Sequence, residues 1–122
     1  MCKVKHVLIV DPNLKDSQNL KNLLLTSCFS DEVSEIPDPE KAYEFLSSAV
    51  TLPDIIFLEI KLSKTNGFRF IEKLEHQFGQ SLKFIIVTSS KSPMDIARSS
   101  EYTCVQKYLI KPLNEIDLMD LD

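Results

Sequence analysis

The sequence predicts an α/β protein whose five-stranded parallel sheet is covered by helices on both faces. Short continuous apolar runs, such as residues 7–10 and 84–87, are typical of strands that are buried on both faces. Segments with apolar residues at helical spacing stand between these runs. The two patterns alternate five times over 122 residues without a repeat or a linker, and this alternation favours parallel strands joined by helices.

The first half of the chain contains two predicted strands and two predicted helices. Val7 to Val10 form the first strand, and Leu14 to Ser27 form a helix that Asn13 and Asp16 begin in a capping arrangement. A weak strand around Val33 to Ile36 has polar neighbours, which indicate a sheet edge. The second helix begins at Asp38-Pro39-Glu40, and its apolar stripe comprises Ala42, Phe45, Leu46 and Ala49.

Three further strands are predicted in the second half, over residues 54–60, 82–88 and 105–110. The helix between the first two covers residues 66–78 and buries Phe70, Ile71, Leu74 and Phe78. A fourth helix with a thin apolar face begins at Ser92-Pro93, with Asp95 in its first turn. A short helix over residues 114–122 follows the last strand.

Composition and charge limit the function classes. The net charge of −4 argues against a general nucleic-acid or anionic-membrane surface, since such surfaces are concentrated basic faces. The N-terminal apolar run ends after Val10, which is too short for a signal peptide or a membrane span. We therefore expect a single-domain cytoplasmic protein that binds neither nucleic acid nor membranes.

The cysteines and histidines indicate no site in the sequence. Cys2, Cys28 and Cys104 are odd in number, distant from one another, and lack the spacing of zinc or thioredoxin-like sites. We expect buried or incidental thiols in a reducing compartment. His6 and His76 have no partner at ligand spacing, so solvated side chains are expected.

Four polar residues end four different predicted strands. Asp11, Glu59, Thr88 and Lys111 follow or close the first, third, fourth and fifth strands. In open parallel sheets, functional groups gather outside the carboxyl ends of the strands. The sequence therefore predicts that these side chains share one pocket.

Four segments carry a resemblance to a known family: "LIVDPN", "PDIIFLEIKLSKTNGF", "FIIVTSS" and "KYLIKPL". Together they resemble the CheY-like receiver domain of response regulators in two-component phosphorelay signalling. The resemblance implies a flavodoxin-like three-layer fold with strand order 2-1-3-4-5. It covers nearly the whole chain, so residues 1–122 are expected to form one receiver domain with a shortened last helix, cut from a longer protein.

The resemblance also implies roles for single residues. Asp11 matches the first of two acids that hold Mg²⁺, and Glu59 stands at the phospho-acceptor aspartate. Thr88 and Lys111 match the residues that contact the phosphoryl group, and Tyr108 matches the aromatic switch residue. Ser63 stands where proline is usual, and Asn66-Gly67 stands where Asp-Gly is usual.

Two departures from the family pattern predict an atypical receiver. Pro12 replaces the second acid, so Asp11 and Glu59 would form a weak Mg²⁺ site at best, and no other cofactor is expected. Glu59 is one methylene longer than aspartate, so its carboxylate is displaced. Phosphoryl transfer depends on the position of the attacking oxygen. We expect Glu59 to approach Lys111, and Thr88 as well, without phosphate. Whether this mimics the active state or locks the inactive one is open.

The predicted function is a non-enzymatic pseudo-receiver that acts through protein contacts. Its partner would be a histidine kinase, a phosphotransfer protein or an output domain, bound through the fourth helix, fifth strand and fifth helix. The alternative is a working receiver that takes phosphate from a histidine kinase with Mg²⁺. A flavodoxin-like cofactor binder is disfavoured because "DPNLKDS" contains neither glycine nor threonine. A hydrolase with Asp11 as nucleophile lacks a neighbouring second acid.

Simpler roles stay open for each site residue. Asp11 is equally well explained as a residue that caps the first helix. Glu59 and Lys111 taken alone read as an ordinary salt bridge, and Thr88 as the end of a strand. Tyr108 is by default a packed aromatic side chain with a solvated hydroxyl.

Overall fold

Strands and helices alternate along the chain, as the sequence predicts. The computed structural model describes residues 2–121, and within them it has five strands and five helices. In chain order they are β1 Val4–Val10, α1 Leu14–Thr26, β2 Ser30–Glu35, α2 Pro39–Ser48, β3 Ile55–Leu58, α3 Gly67–Phe78, β4 Phe84–Thr88, α4 Pro93–Ser99, β5 Val105–Ile110 and α5 Glu115–Met119.

All the strand pairs are parallel, and the strands lie in the order β2-β1-β3-β4-β5. The predicted fold class and strand order are confirmed. Because β1 lies between β2 and β3, the strand order reverses there, and the loops after β1 and β3 diverge to opposite sides of the sheet. This leaves a crevice at the carboxyl ends of the strands.

Each face of the sheet has its own hydrophobic core, because alternate strand residues point to opposite sides. On one face, Leu8 and Ile56 pack with residues of α2 and α3 such as Leu46 and Leu74. On the other face, Val7, Ile9, Phe57 and Ile85 pack with Leu20 and Leu24 of α1 and Leu118 of α5. The apolar runs of the central strands are buried along their full length, which explains their continuous hydrophobicity.

Polar side chains begin most of the helices. The side chains of Asn13, Asp38, Asn66 and Asn114 each accept a hydrogen bond from a backbone amide in the first turn of the following helix. Ser92 precedes α4 without such a bond. Within residues 2–121, no helix is long and apolar enough to cross a membrane.

Several predicted boundaries were wrong, most clearly at the sheet edge. β2 covers Ser30–Glu35 instead of residues 33–36, because it pairs with β1 from Val4↔Ser30 to Ile9↔Glu35. Ser30 is a buried polar residue whose hydroxyl donates to the Lys5 carbonyl, so its polarity hid its strand position.

Smaller differences concern the ends of helices and one core residue. α2 stops at Ser48, and Ala49 is its C-cap instead of part of its apolar stripe. Phe78 is half-buried, where full burial was predicted. α5 ends at Met119, and the last residue of its predicted range, Asp122, lies outside the described residues.

Candidate functional site

The backbone brings the predicted site residues to one edge of the sheet. The Glu59 amide donates to the Val10 carbonyl at 3.0 Å, which extends the pairing of β1 and β3 by one residue. The Lys111 amide donates to the Thr88 carbonyl at 2.9 Å and does the same for β4 and β5. Asp11 and Glu59 therefore begin their loops side by side.

Lys111 lies at the centre of this edge. Its Nζ atom is 2.8 Å from Asp11 Oδ2, 2.8 Å from Glu59 Oε1 and 2.9 Å from Asp16 Oδ2. We call these four residues the lysine cluster. The contact between Glu59 and Lys111 that the sequence predicts is present. An ammonium has three protons to donate, and all three are used here.

The carboxylates on Lys111 are themselves held in place. Asp11 Oδ1 accepts a hydrogen bond from the Asn13 amide at 2.9 Å. Glu59 Oε2 accepts one from the Lys61 amide at 3.1 Å. Each of these two carboxylates thus binds the backbone two residues later with one oxygen and Lys111 with the other. Backbone amides of the protein itself therefore orient both carboxylates toward Lys111.

Asp16 is the cluster residue that the sequence analysis missed. It was interpreted only as part of a helix cap, and its amide does donate to Asn13 Oδ1. Its carboxylate, however, points back from the first turn of α1 over the end of β1. The available signal was its position five residues after Asp11, in the first turn of a helix that starts at the rim of the sheet.

Burial and charge determine the electrostatics of the cluster. The side chains of Asp11 and Glu59 are each 7% exposed, that of Lys111 is 15% exposed and that of Asp16 is 37% exposed. Burial acts to lower the pKa of Lys111, but the hydrogen bonds that its ammonium donates to Asp11, Glu59 and Asp16 outweigh it and raise that pKa. Lys111 therefore stays charged.

Asp11 shows the cost of placing three carboxylates on one cation. Burial raises the pKa of the Asp11 carboxyl, and the hydrogen bonds from Lys111 and from the Asn13 amide only partly oppose it. The nearby charge of Glu59 raises it further. With all its members ionised, the cluster carries a net charge of −2 in a largely buried place.

Thr88 and Tyr108 lie beside the lysine cluster but belong to a second network. Thr88 is fully buried, and its hydroxyl accepts a hydrogen bond from the Ser90 amide at 3.3 Å. The Tyr108 hydroxyl donates to the Ser90 carbonyl at 2.9 Å, and the Ser90 hydroxyl donates to Asp95 of α4 at 2.6 Å. Among the described residues, no hydrogen bond joins Glu59 to Thr88.

Comparison with known proteins identifies the family. A family model described as "Response regulator receiver domain" matches residues 7–121. The chain belongs to this family. Receivers of this kind are signalling domains of two-component systems. A search of curated proteins found no match.

Solved receiver structures share the fold over almost the whole chain. A two-component response regulator from Cytophaga hutchinsonii is 21% identical, with a TM-score of 0.85 and coverage of 96% of this chain and 95% of that one. One from Clostridium difficile is 26% identical, with a TM-score of 0.79 and coverage of 94% and 89%. The phosphorylated cyanobacterial phytochrome response regulator RcpA is 22% identical, with a TM-score of 0.78 and coverage of 94% and 86%.

The family implies a Mg²⁺ ion at this rim, but the residues of this receiver do not fit one as they are arranged. The ammonium of Lys111 takes the central position on which the three carboxylates converge. Pro12 offers no side-chain oxygen of the kind that Mg²⁺ requires. Within the part of the chain that the structure describes, no three Asp, Glu, His or Cys residues are arranged to hold a metal. A weak site at Asp11 and Glu59 would first require Lys111 to leave.

Proposed function

We propose that this receiver signals without being phosphorylated, and that the lysine cluster holds it in one arrangement. The observation that supports this most directly is the 2.8 Å contact between Glu59 Oε1 and Lys111 Nζ. Glu59 brings a carboxylate to the lysine that contacts the phosphoryl group in this family. The lysine has no proton left to donate to a phosphate.

The arrangement also opposes phosphoryl transfer to Glu59. One Glu59 oxygen is bound to Lys111 and the other to the Lys61 amide, so attack on phosphorus requires at least one of these bonds to break. Phosphoryl transfer depends on alignment and on neutralising the charge of the phosphate. The lysine cluster has a net charge of −2, so it does not neutralise the charge of a phosphate. Pro12 stands at the position of the second metal-binding acid, so it does not help a Mg²⁺ ion to align one.

Glu59 reproduces only part of what a phosphate would contribute. It supplies one negative charge and two oxygens, whereas a phosphoryl group supplies a charge of about −1.5 to −2 and three acceptor oxygens. Complete inversion of a two-state switch needs about 5.5 kcal/mol of differential stabilisation. One carboxylate shared with two others on the same ammonium contributes less than that. We therefore infer a domain held in a fixed state rather than a switch.

We further propose that this receiver is a binding module and not an enzyme, and that a protein docks on α4, β5 and α5. The β4–α4 loop links the pocket to this face, because Ser90 bonds both Tyr108 of β5 and Asp95 of α4. Large apolar side chains are exposed on the face: Met94 is 81% exposed, Ile116 67% and Met119 70%. A histidine kinase, a phosphotransfer protein or an output domain would cover them.

The deciding experiment measures phosphate uptake. Wild-type protein and the double variant Glu59→Asp with Pro12→Asp are incubated with a small phosphodonor and Mg²⁺, and their intact masses are compared. We expect no phosphoryl adduct on the wild type. The double variant restores the aspartate and the second metal acid, so it should gain one phosphoryl group. Glu59→Gln with Pro12→Asp is the matched control that keeps the metal acid but offers no carboxylate.

Two outcomes separate this proposal from its alternative. A stable gain of one phosphoryl group on the wild type, lost in Glu59→Gln, would establish a working receiver, as RcpA is in its phosphorylated form. Failure of the double variant to take up phosphate would show that Thr88 and Lys111 no longer form a phosphoryl pocket. In that case the cluster is a structural salt bridge and not a degenerate phosphorylation site.

A further inference from the structure

Two of the three cysteines lie side by side at the opposite end of the sheet from the lysine cluster. The Sγ atoms of Cys2 and Cys28 are 2.9 Å apart although 26 positions separate the residues in the sequence. The wide spacing of these cysteines along the chain gave no indication of this contact. A disulfide has an S–S distance of about 2.05 Å, so the sulfurs need to approach by less than about 1 Å.

The backbone at Cys28 is unusual for a cysteine. Its φ is +57°, in the left-handed region that favours glycine. Cys28 follows the C-cap of α1, where its amide donates to the Leu25 carbonyl and the Phe29 amide donates to the Leu24 carbonyl. This is a Schellman motif, in which the position of Cys28 is usually glycine. The backbone of Cys28 is therefore strained, and its thiol points toward that of Cys2.

The two thiols are accessible, whereas the third is not. Cys28 is exposed and Cys2 is half-buried, while Cys104 is buried. Burial raises the pKa of the Cys104 thiol to about 12, so this thiol is inert. Cys28 also lines a surface cavity of about 350 Å³ together with Lys3, Glu115 and Met119, which gives a small reagent room to approach.

We propose that Cys2 and Cys28 form a dithiol modification site, which low-molecular-weight disulfides of the glutathione class oxidise to an intramolecular disulfide. The exposed Cys28 reacts first, since its hydrogen bond with Cys2 raises the pKa of the Cys2 thiol. The Cys28 thiolate attacks one sulfur of oxidised glutathione and forms a mixed disulfide, and one glutathione leaves as a thiolate.

The second step closes the ring. The Cys2 thiolate attacks Cys28 Sγ, the Cys2–Cys28 bond forms, and the second glutathione leaves as a thiolate. The protons of the two cysteine thiols pass to the two glutathione thiolates. The protein loses two electrons, and the glutathione disulfide gains them.

The disulfide would tie the start of β1 to the end of α1 and would also act on α5. Lys3, which follows Cys2, donates from Nζ to the carbonyl oxygens of Leu118, Met119 and Leu121. These carbonyls lie at the C-terminal end of α5, where a cation is favourable. Oxidation would thus fix the segment that holds α5, one element of the face proposed for partner binding.

Intact mass tests the proposal on the full 122-residue chain. Wild type, Cys2→Ser and Cys28→Ser are equilibrated with mixtures of reduced and oxidised glutathione, quenched with acid, unfolded and alkylated. The wild type should lose about 2 Da, the mass of two hydrogen atoms, and take up one alkyl group on Cys104. Each single variant should instead retain one glutathione. Wild type that keeps three alkylatable thiols, or that carries glutathione without closing the ring, overturns the proposal.

Cys28→Gly provides a second test, which measures stability instead of mass. Glycine suits the positive φ, so reduced Cys28→Gly should unfold at a higher urea concentration than reduced Cys28→Ser. The urea midpoint of the wild type should rise on oxidation, whereas that of Cys28→Gly should not respond to the glutathione ratio. A response of Cys28→Gly equal to that of the wild type would assign the effect to other thiols and overturn the proposal.

Discussion

At the scale of single residues, the site depends on how one ammonium is shared. Lys111 neutralises only one of the three carboxylates that it contacts, yet all three are held within 2.9 Å of its Nζ atom. Removing the cation and removing an anion should therefore have very different effects. The cation holds the cluster together, whereas each anion adds repulsion as well as attraction.

Replacing Lys111 with Met tests this asymmetry. Met keeps an apolar stem but leaves buried carboxylates unpaired, so Lys111→Met should lower the free energy of unfolding by about 3 kcal/mol. Glu59→Gln removes one of three negative charges and keeps an acceptor for Lys111, but its amide nitrogen cannot accept from the Lys61 amide, so it should cost about 1–2 kcal/mol. Urea denaturation at pH 7 measures both. Equal losses in the two variants would contradict the central role of the cation.

Asp11 predicts a pH dependence whose sign follows from its raised pKa. Because the pKa is higher in the folded than in the unfolded chain, the contribution of Asp11 to stability is fully present below its unfolded value of about 3.9. That contribution is lost as the pH rises through the folded pKa. Asp11→Asn removes this titration. The stability of the wild type minus that of Asp11→Asn should therefore fall from pH 4 to pH 7.

Urea denaturation at several pH values within this range checks the sign. The stability difference at any single pH also includes the contact to Lys111 that Asp11→Asn changes. The prediction therefore concerns how the difference changes with pH, not its value at pH 7. A difference that grows with pH would mean that the attraction of Lys111 for Asp11 exceeds the cost of burying the Asp11 charge.

At the scale of elements, the start of α3 controls the loop that carries Glu59. The Gly67 amide donates to the Ile60 carbonyl at 2.8 Å. A Cβ atom at Gly67 would lie 2.7 Å from Ile60 Cα and 3.1 Å from the Glu59 carbonyl oxygen. These are backbone atoms that cannot rotate away, which is a physical reason for glycine at this position.

Gly67→Ala should therefore lower the free energy of unfolding by about 1–3 kcal/mol, the usual cost of overpacking. Gly79→Ala is the matched comparison, since Gly79 has a φ of +64° but open space around it. Its cost should also be about 1–3 kcal/mol but should come from backbone strain alone, because a φ of +64° with a ψ of −134° is nearly confined to glycine. Thermal or urea unfolding of both variants measures the two losses. A loss below about 0.5 kcal/mol for Gly67→Ala would contradict the steric argument.

Local patterns were enough to predict the elements, but not all of their ends or contacts. Continuous apolar runs identified β1, β3 and β4 because central parallel strands are buried on both faces. The bounds of β2 could not be predicted in this way, since its pairing with β1 is non-local and Ser30 is polar. Asp16 was missed for a related reason: its helix-capping position is local, whereas its contact with Lys111 spans 95 positions.

At the scale of the whole molecule, α5 connects two proposed features. It is part of the face of α4, β5 and α5 proposed for partner binding, and its C-terminal end lies next to the dithiol site of Cys2 and Cys28. The meeting of Asp11, Glu59 and Lys111 could be predicted, since the topology of a parallel sheet brings the carboxyl ends of its strands to one edge. The topology could not predict which polar groups bond there. Thr88 lies at the same rim but bonds Ser90, because its hydroxyl faces the β4–α4 loop backbone.

The last prediction concerns the face of α4, β5 and α5 that is proposed to bind a partner. Large exposed apolar residues are candidates for binding hot spots, and Met94 of α4 and Ile116 of α5 are the exposed apolar residues near the starts of the two helices of this face. The double variant Met94→Lys with Ile116→Lys should weaken binding to a partner isolated with the wild-type chain by at least about tenfold, or about 1.4 kcal/mol. Isothermal titration measures the change.

Val50→Lys, at a fully exposed apolar residue between α2 and β3, is the matched control and should bind like the wild type. If Glu59 holds the domain in one state, as proposed, this affinity should also be the same with and without phosphodonor and Mg²⁺. Equal weakening by Val50→Lys would show that the partner binds a different face.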